Sequence, residues 1–257
     1  MTEWNASGYD RISALQQAMA AEVLSLLDLQ DANHILDLGC GNGKITAEIA
    51  ARIPDGSVVG VDASADMITF ARDHYASGSS RLRFEVCDIR RIDFREEFDL
   101  VVSFNALHWI PEQDRALRAI HGALQPSGRA QLRLVPKGER QSLEDVLEET
   151  RKSERWKRYY DGYVDPYLHL TAEEYASLAE RCGLGVASVN VTDKSWDFGS
   201  REGFAAFGSV TFVEWTRGLP DEAKPEFILD VLSRYSHIAG DDRTFRFYQM
   251  DLRLTKN

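Results

Sequence analysis

The 257-residue sequence predicts an α/β fold: a mostly parallel sheet covered by helices on both faces. Three observations predict it. Strand-like and helix-like segments alternate from about residue 30 to residue 135. The strand runs are apolar enough to be buried on both faces, as strands of parallel sheets are. The composition, 44% hydrophobic and 28% charged, is that of a globular chain long enough to bury a sizeable core.

The elements follow in order. Residues 11–27 place Ile12, Leu15, Met19, Val23, Leu24 and Leu27 at helical spacing. HILDL, from residue 34, runs as a strand into the glycine cluster Gly39, Gly41 and Gly43, and a helical pattern (ITAEIAARI) follows. GSVVGVD reads as a buried strand, and the next helix starts at an N-cap, Ser64. RLRFEVCDI (81–89) and FDLVVSFNALHWI (98–110) read as strands, with a helix over EQDRALRAIHGAL and a strand over RAQLRLV. After Val135 the rhythm changes. Two helical patterns lie within about 140–180, separated by the aromatic stretch RWKRYYDGYVDPYLHL; the second opens with the capping box Thr171-x-x-Glu174 and ends near Gly183. LGVASVNVTDKSWDF alternates as a strand, 200–240 is helical with breaks at Pro220 and Gly240, and TFRFYQMDLRLT supplies a last strand. The chain divides into a single domain, 1–257, with a ligand-binding core at 30–136. The helical insertions 137–183 and 199–241 are expected to fold over the carboxyl edge of the sheet as a substrate cap.

Charge narrows the partners. Thirty basic and forty-one acidic residues leave a net charge of −11. Nucleic acid, which calls for a basic stripe, and an anionic membrane surface are therefore not expected partners. Three well-separated cysteines, Cys40, Cys87 and Cys182, fit a reducing compartment, and with no apolar run near 18 residues and no leader pattern the expected location is cytoplasmic. No metal is expected.

The glycine loop carries the chemistry. Glycines at 39, 41 and 43, at a strand-to-helix turn, let backbone approach a ligand closely. A phosphate loop fails because position 38 is Leu and position 45 is Ile; a dinucleotide loop fails because the third glycine comes one residue early. Asp37 precedes the loop and would repel a pyrophosphate, whereas it suits a cationic tail. Asp62, nineteen residues after Gly43 at the end of the next strand, is placed to accept ribose hydroxyls. The pattern fits a nucleoside with a positive tail.

The set LDLGCGNG, GVDAS, CDI and FDLVVSFNALHW, in this order over roughly 30–136, closely resembles class I S-adenosylmethionine-dependent methyltransferases. The resemblance implies a doubly wound, Rossmann-like sheet of seven strands with an antiparallel last strand. It implies S-adenosylmethionine as cofactor, held by Asp37 and the loop Gly39, Cys40, Gly41 and Gly43 at the methionine part and by Asp62 at the ribose. Ala63 and Met67 would pack on adenine, Asp88 would accept from its amino group between Cys87 and Ile89, and Asn105 would line the methionine. Met67 also suits a core position, Cys40 and Cys87 suit packing, and Asp88 suits a turn.

The acceptor is read from what is missing and from three short pieces. No N-P-P-[YF] motif follows the fourth strand and no cysteine follows a proline, so the expected acceptor is a small molecule. Tyr9 and Gln16 share a helical face; Leu107-His108-Trp109 follows the fourth strand; Val213–Gly218 lies between the last two strands. Together they resemble the trans-aconitate and juvenile hormone acid methyltransferase group, which esterifies carboxylic acids. A carboxylate needs no general base, so Tyr9, Gln16, His108 and Trp109 are expected as donors, with Arg133 or Arg158 for a second carboxylate. A hydroxyl, amine or carbon acceptor would instead make His108 the base. A non-catalytic cofactor-binding regulator is the alternative of another class.

Overall fold

The protein is described from a computed structural model covering residues 14–76, 78–165 and 167–256. Tyr9 lies outside the described residues, as does the side chain of Gln16.

The strands are β1 (His34–Leu38), β2 (Ser57–Asp62), β3 (Leu82–Val86), β4 (Phe98–Phe104), β5 (Leu124–Leu134), β6 (Leu184–Asp197) and β7 (Thr244–Lys256). They form one sheet in the order β3-β2-β1-β4-β5-β7-β6. All neighbours from β3 to β5 run parallel, while β7 is antiparallel to both β5 and β6, as expected for the last strand. The strand order reverses between β1 and β4, so the crevice beyond their carboxyl ends is the natural ligand site of such a sheet.

Helices α1 (Ala14–Leu26), α2 (Lys44–Arg52) and α3 (Ala65–Ala71) cover one face, α3 being extended by a π-helical turn at Arg72–Ala76. Helices α4 (Gln113–Ala123) and α6 (Ala172–Arg181) cover the other, where Leu117, Ile120, Tyr175 and Ala179 meet Leu36, Val59 and Val101. A third apolar cluster stands apart from both. It is built from α5 (Leu143–Lys152), α7 (Arg201–Thr211), the short α8 (Val213–Thr216) and α9 (Lys224–Ala239), with Trp156 and Tyr160. Within the stretch 137–183, the helix at 172–181 packs beside β6 and α4, where Tyr175 and Ala179 join the apolar cluster of the sheet.

Several local expectations hold. The Ser64 hydroxyl accepts from Met67 N at 3.3 Å, and the Thr171–Glu174 capping box is formed. A second box, Ser142 with Asp145, starts α5 and was not anticipated. Two strands end early. β3 stops at Val86, since Asp88 caps a 3-10 turn at Ile89–Arg91 by accepting from Arg90 N at 2.9 Å. β4 stops at Phe104 because Asn105 takes a left-handed conformation (φ 56°), and Leu107–Trp109 form a 3-10 turn. The C-terminal half of the apolar run 98–110 is therefore turned out of the sheet and over the crevice.

Candidate active site

A cavity of about 570 Å3 opens at the reversal of the sheet and continues beneath the third apolar cluster. This is a size suited to a nucleoside and a second small molecule. Its inner half is lined by the ends of β1, β2 and β4 and by the turn after β3. Asp37, Gly39, Cys40 and Gly41 lie along one side; Asp62, Ala63 and Met67, then Asp88 and Ile89, lie along another, with Asn105 beside them. Gly43 and Cys87 do not reach the lining. A Cβ on Gly43 would collide with Ala71 at 2.7 Å and Phe84 at 2.8 Å, so that glycine serves helix–strand packing.

Two other glycines separate packing from ligand space. At Gly39 (φ 74°) a Cβ would strike the Ala106 Cβ at 2.2 Å. At Gly41 (φ 54°) a Cβ would meet nothing within 4 Å and would stand in the cavity. The loop is a cradle whose free space lies on the ligand side.

The carboxylates are oriented before any ligand arrives. Asp62 accepts from Gly41 N and from Ser64 N, both at 2.9 Å. Asp37 is buried and accepts from the Thr46 hydroxyl at 2.7 Å; burial, reinforced by the nearby Asp62 charge, pushes its carboxyl up to about 7. A buried acid raised in this way is relieved by an incoming cation. Asn105 is fixed by its own N–H to Arg133 O (2.7 Å) and by Gln249, which donates to its side-chain oxygen at 3.1 Å. A nucleoside with a cationic amino-acid tail fits this set: an oriented carboxylate for the ribose, a glycine cradle and a buried acid for the tail. Among the described residues, no three or more His, Cys, Asp or Glu side chains gather as metal ligands.

The outer half is aromatic. The rings of Trp109 and Tyr167 meet edge to face at 4.9 Å, and Trp109 meets Trp215 at 6.0 Å. Trp215 is locked on two sides: its indole donates to Glu148 at 2.8 Å, and its carbonyl accepts from Tyr160 O–H at 2.6 Å. Phe207, Phe212, Phe245 and Phe247 close the far wall. Helix α1 supplies Leu15, Met19 and Val23, and it is pinned where Glu22 pairs with Lys194 and with the buried Arg133 (3.3 Å).

His108 lines the cavity but does not titrate near neutral pH. It is 4% exposed; its Nδ1 accepts from Val135 N at 3.3 Å, and burial, with the nearby His169, lowers its pKa to about 3. The ring is therefore neutral with its proton on Nε2, a donor rather than a base. Arg133 is also corrected. Asp251 grips it at 2.7 and 2.9 Å and Glu22 adds a third contact, so it has no fork left for a substrate; it does not line the cavity. Arg158 is exposed over Tyr159 and does not line it either. Of the aromatic stretch 156–167, Trp156 and Tyr160 belong to the cap core, and Tyr167 reaches the cavity.

Sequence reasoning missed two residues here. Glu144, in the first turn of α5, lines the outer half, and burial pushes its carboxyl up to about 7 with Asp145 and Asp165 adding to the rise. Arg90 lines the nucleoside end. The Ser142-x-x-Asp145 box would have located the start of α5 and hence Glu144. Glu214, within the 213–218 segment, is 5% exposed and pairs with Arg217 at 3.1 Å, so the cation of that segment is already paired with an acid.

Residues 35–128 match the methyltransferase-domain family. The chain is 29% identical over 223 residues to trans-aconitate 2-methyltransferase of Deinococcus radiodurans, covering 84% of this chain and 80% of that one. It is 31% identical over 173 residues to juvenile hormone acid O-methyltransferase of Bombyx mori, covering 63% and 62%. In fold it is similar to phosphoethanolamine N-methyltransferase 2 of Haemonchus contortus, solved with S-adenosylhomocysteine, at a TM-score of 0.62 and 19% identity over 98% of this chain and 56% of that one. The protein is an S-adenosylmethionine-dependent methyltransferase that resembles the class I enzymes. Within that class it resembles the trans-aconitate and juvenile hormone acid methyltransferases.

Proposed function

We propose that the enzyme methylates a carboxylate oxygen of a small molecule with an apolar body. S-adenosylmethionine, when bound, supplies a methyl group activated by a sulfonium. Asp62 holds the ribose, Ala63, Met67 and Ile89 pack on adenine, and Asp88 accepts from its amino group. Gly39, Cys40 and Gly41 cradle the methionine part, with Asn105 along it and Asp37 facing the positive charge; Gly43 and Cys87 support the loop and the turn. The His108 Nε2–H and Trp109 orient the acceptor, with Tyr9 and Gln16 proposed as further donors. The cap, drawn from the part of 137–183 that precedes α6 and from 199–241, excludes water, which strengthens the attraction between acceptor and sulfonium. Holding the oxygen in line with the methyl contributes several kcal/mol, in the range such positioning reaches.

The observation that carries this reading is the state of His108. The histidine that a hydroxyl, amine or carbon acceptor would call on as base is buried with its Nδ1 already accepting from Val135 N, and a carboxylate acceptor needs no base. The names of relatives point the same way: trans-aconitate, juvenile hormone acid and malonyl-[acyl-carrier protein]. With Arg133 committed to Asp251 and the outer wall aromatic, a monocarboxylate suits the cavity better than a polycarboxylate. Glu144, protonated below about 7, would donate to the acceptor carboxylate.

Glu144 also supports a second reading, in which it is the base for a hydroxyl or amine acceptor. The two readings give opposite pH profiles at saturating cofactor. A Glu144 donor loses its proton as pH rises through 7, so carboxylate methylation slows; a Glu144 base gains activity over the same rise. The test is transfer of labelled methyl from S-adenosylmethionine to a panel of aliphatic and aromatic carboxylic acids and the matching alcohols. Label released as methanol by mild alkali marks an ester. Alkali-stable label on alcohols or amines would overturn the carboxylate reading.

A further inference from the structure

The Asp88 carboxylate is held by Arg90 from three directions. Arg90 N donates to Oδ1 at 2.9 Å; Nε bridges both oxygens at 3.0 and 3.1 Å; Nη2 donates to Oδ2 at 2.6 Å. The remaining end of the guanidinium, Nη1, contacts Glu112 Oε2 at 2.5 Å, which ties the pair to the residue before α4. Both Asp88 and Arg90 line the nucleoside end of the cavity, and the Asp88 side chain is only 9% exposed. Ile89, 6% exposed, anchors the turn between them in the sheet core. A surface pair at a turn would leave the carboxylate free to rotate. Here a planar fork fixes both of its oxygens, which is the arrangement that fork–fork geometry makes rigid.

We propose that Arg90 is a positioning residue for nucleobase selection: it fixes the Asp88 carboxylate so that the cavity takes a purine bearing an exocyclic amino group and rejects one bearing a carbonyl at the same place. The inference rests on the reading that Asp88 faces the base. A fixed carboxylate is acceptor-only, so it accepts from an amino group and opposes a carbonyl oxygen. The opposition is strong only while the carboxylate cannot turn away. The same guanidinium lowers the Asp88 carboxyl from its ordinary value, which favours the acceptor-only form. Each of the three guanidinium nitrogens of Arg90 donates to Asp88 or Glu112, so the side chain is itself held in place.

The test is calorimetric binding of S-adenosylhomocysteine and S-inosylhomocysteine to the wild type, R90Q, R90K and D88A, with folding checked by thermal unfolding. The wild type is expected to prefer the adenine compound by about 100-fold, the order that a site built around one hydrogen-bonding group reaches. R90Q is expected to lower that preference about tenfold, with the loss falling on the adenine compound, and D88A to abolish it. R90K, which keeps charge but not the fork, should fall between, and it answers the question if R90Q fails to fold. A merely structural arginine would lower the unfolding temperature and leave the preference untouched. R90Q with the wild-type preference, beside a D88A that loses it, overturns the role of Arg90. D88A with the wild-type preference overturns the assignment of Asp88 to the base, and the proposal with it.

Discussion

The two halves of the cavity are built by different means. The nucleoside half comes from one continuous stretch of chain, residues 37–105, where each strand end delivers one acid or one loop at the reversal of the sheet. Its acids are held by backbone and side-chain donors of that same stretch: Gly41 and Ser64 N–H on Asp62, the Thr46 hydroxyl on Asp37, and the N–H and guanidinium of Arg90 on Asp88. The acceptor half is assembled from α1, the turn at 107–109, Tyr167, the α5 and α7–α8 segments and β7, which are far apart in sequence. Its shape is held by side chains, above all the Glu148–Trp215 bond and the ring contacts around Tyr167. A site fixed by hydrogen bonds from within one stretch of chain tolerates changes in distant elements; one fixed by aromatic packing can change its ligand by a few substitutions in the helices around it.

The largest expected effect on that contrast is at Asp62. Asp62→Ala should weaken S-adenosylhomocysteine binding by about 100-fold, the scale of two lost charge-assisted hydrogen bonds, while the unfolding temperature changes little; titration calorimetry and thermal melts check both. Trp215→Ala should act in the opposite way. The side chain is 1% exposed in the cap core, so about 3 kcal/mol of stability and most acceptor turnover should be lost, with cofactor affinity retained. Denaturant unfolding and acceptor kinetics would measure it.

The pH dependence sharpens the comparison. Asp37 is raised from 3.8 to about 7 in the folded protein. Folded chain therefore holds a proton that unfolded chain has lost between those values, so this group costs stability as pH rises through that window and levels off above it. A cationic ligand favours the ionised form, so the affinity for S-adenosylmethionine should rise up to tenfold per pH unit until about 7 and then flatten, with proton release on binding. Asp37→Asn should abolish the slope. In the acceptor half, Glu144→Gln should remove the fall of carboxylate methylation above about 7 and leave cofactor affinity unchanged. The smallest effect is at His108: His108→Gln keeps a donor, so turnover should drop by less than about tenfold, with no shift of the pH profile, because the native ring does not titrate in that range.

The same contrast explains what was legible. The strand–helix alternation, the Gly39–Gly43 loop and the acid at Asp62 are local patterns; the alternation forms the sheet as expected, and Gly39, Gly41 and Asp62 line the cavity while Gly43 does not. The antiparallel β7 followed from the resemblance rather than from its alternating residues, which carry no direction. The acceptor half was hidden because its elements are joined by tertiary packing. His108 suited a donor for a carboxylate or a base for a hydroxyl, amine or carbon acceptor from residue type alone; the burial of its ring favours the neutral donor. Arg133 looked available, yet Asp251 is brought beside it by β5–β7 pairing, a contact between residues 118 apart in sequence. Glu144 drew no notice because a glutamate in a first helical turn is ordinary, and its place in the cavity wall comes from tertiary packing.

The most direct test of this division is one titration series: S-adenosylhomocysteine into the wild type, Asp62→Ala and Trp215→Ala. The expected result is tight binding to the wild type, loss in Asp62→Ala and retention in a folded Trp215→Ala. Undiminished binding to Asp62→Ala, or equal loss in both variants, would contradict the assignment of cofactor and acceptor to separate halves of the cavity.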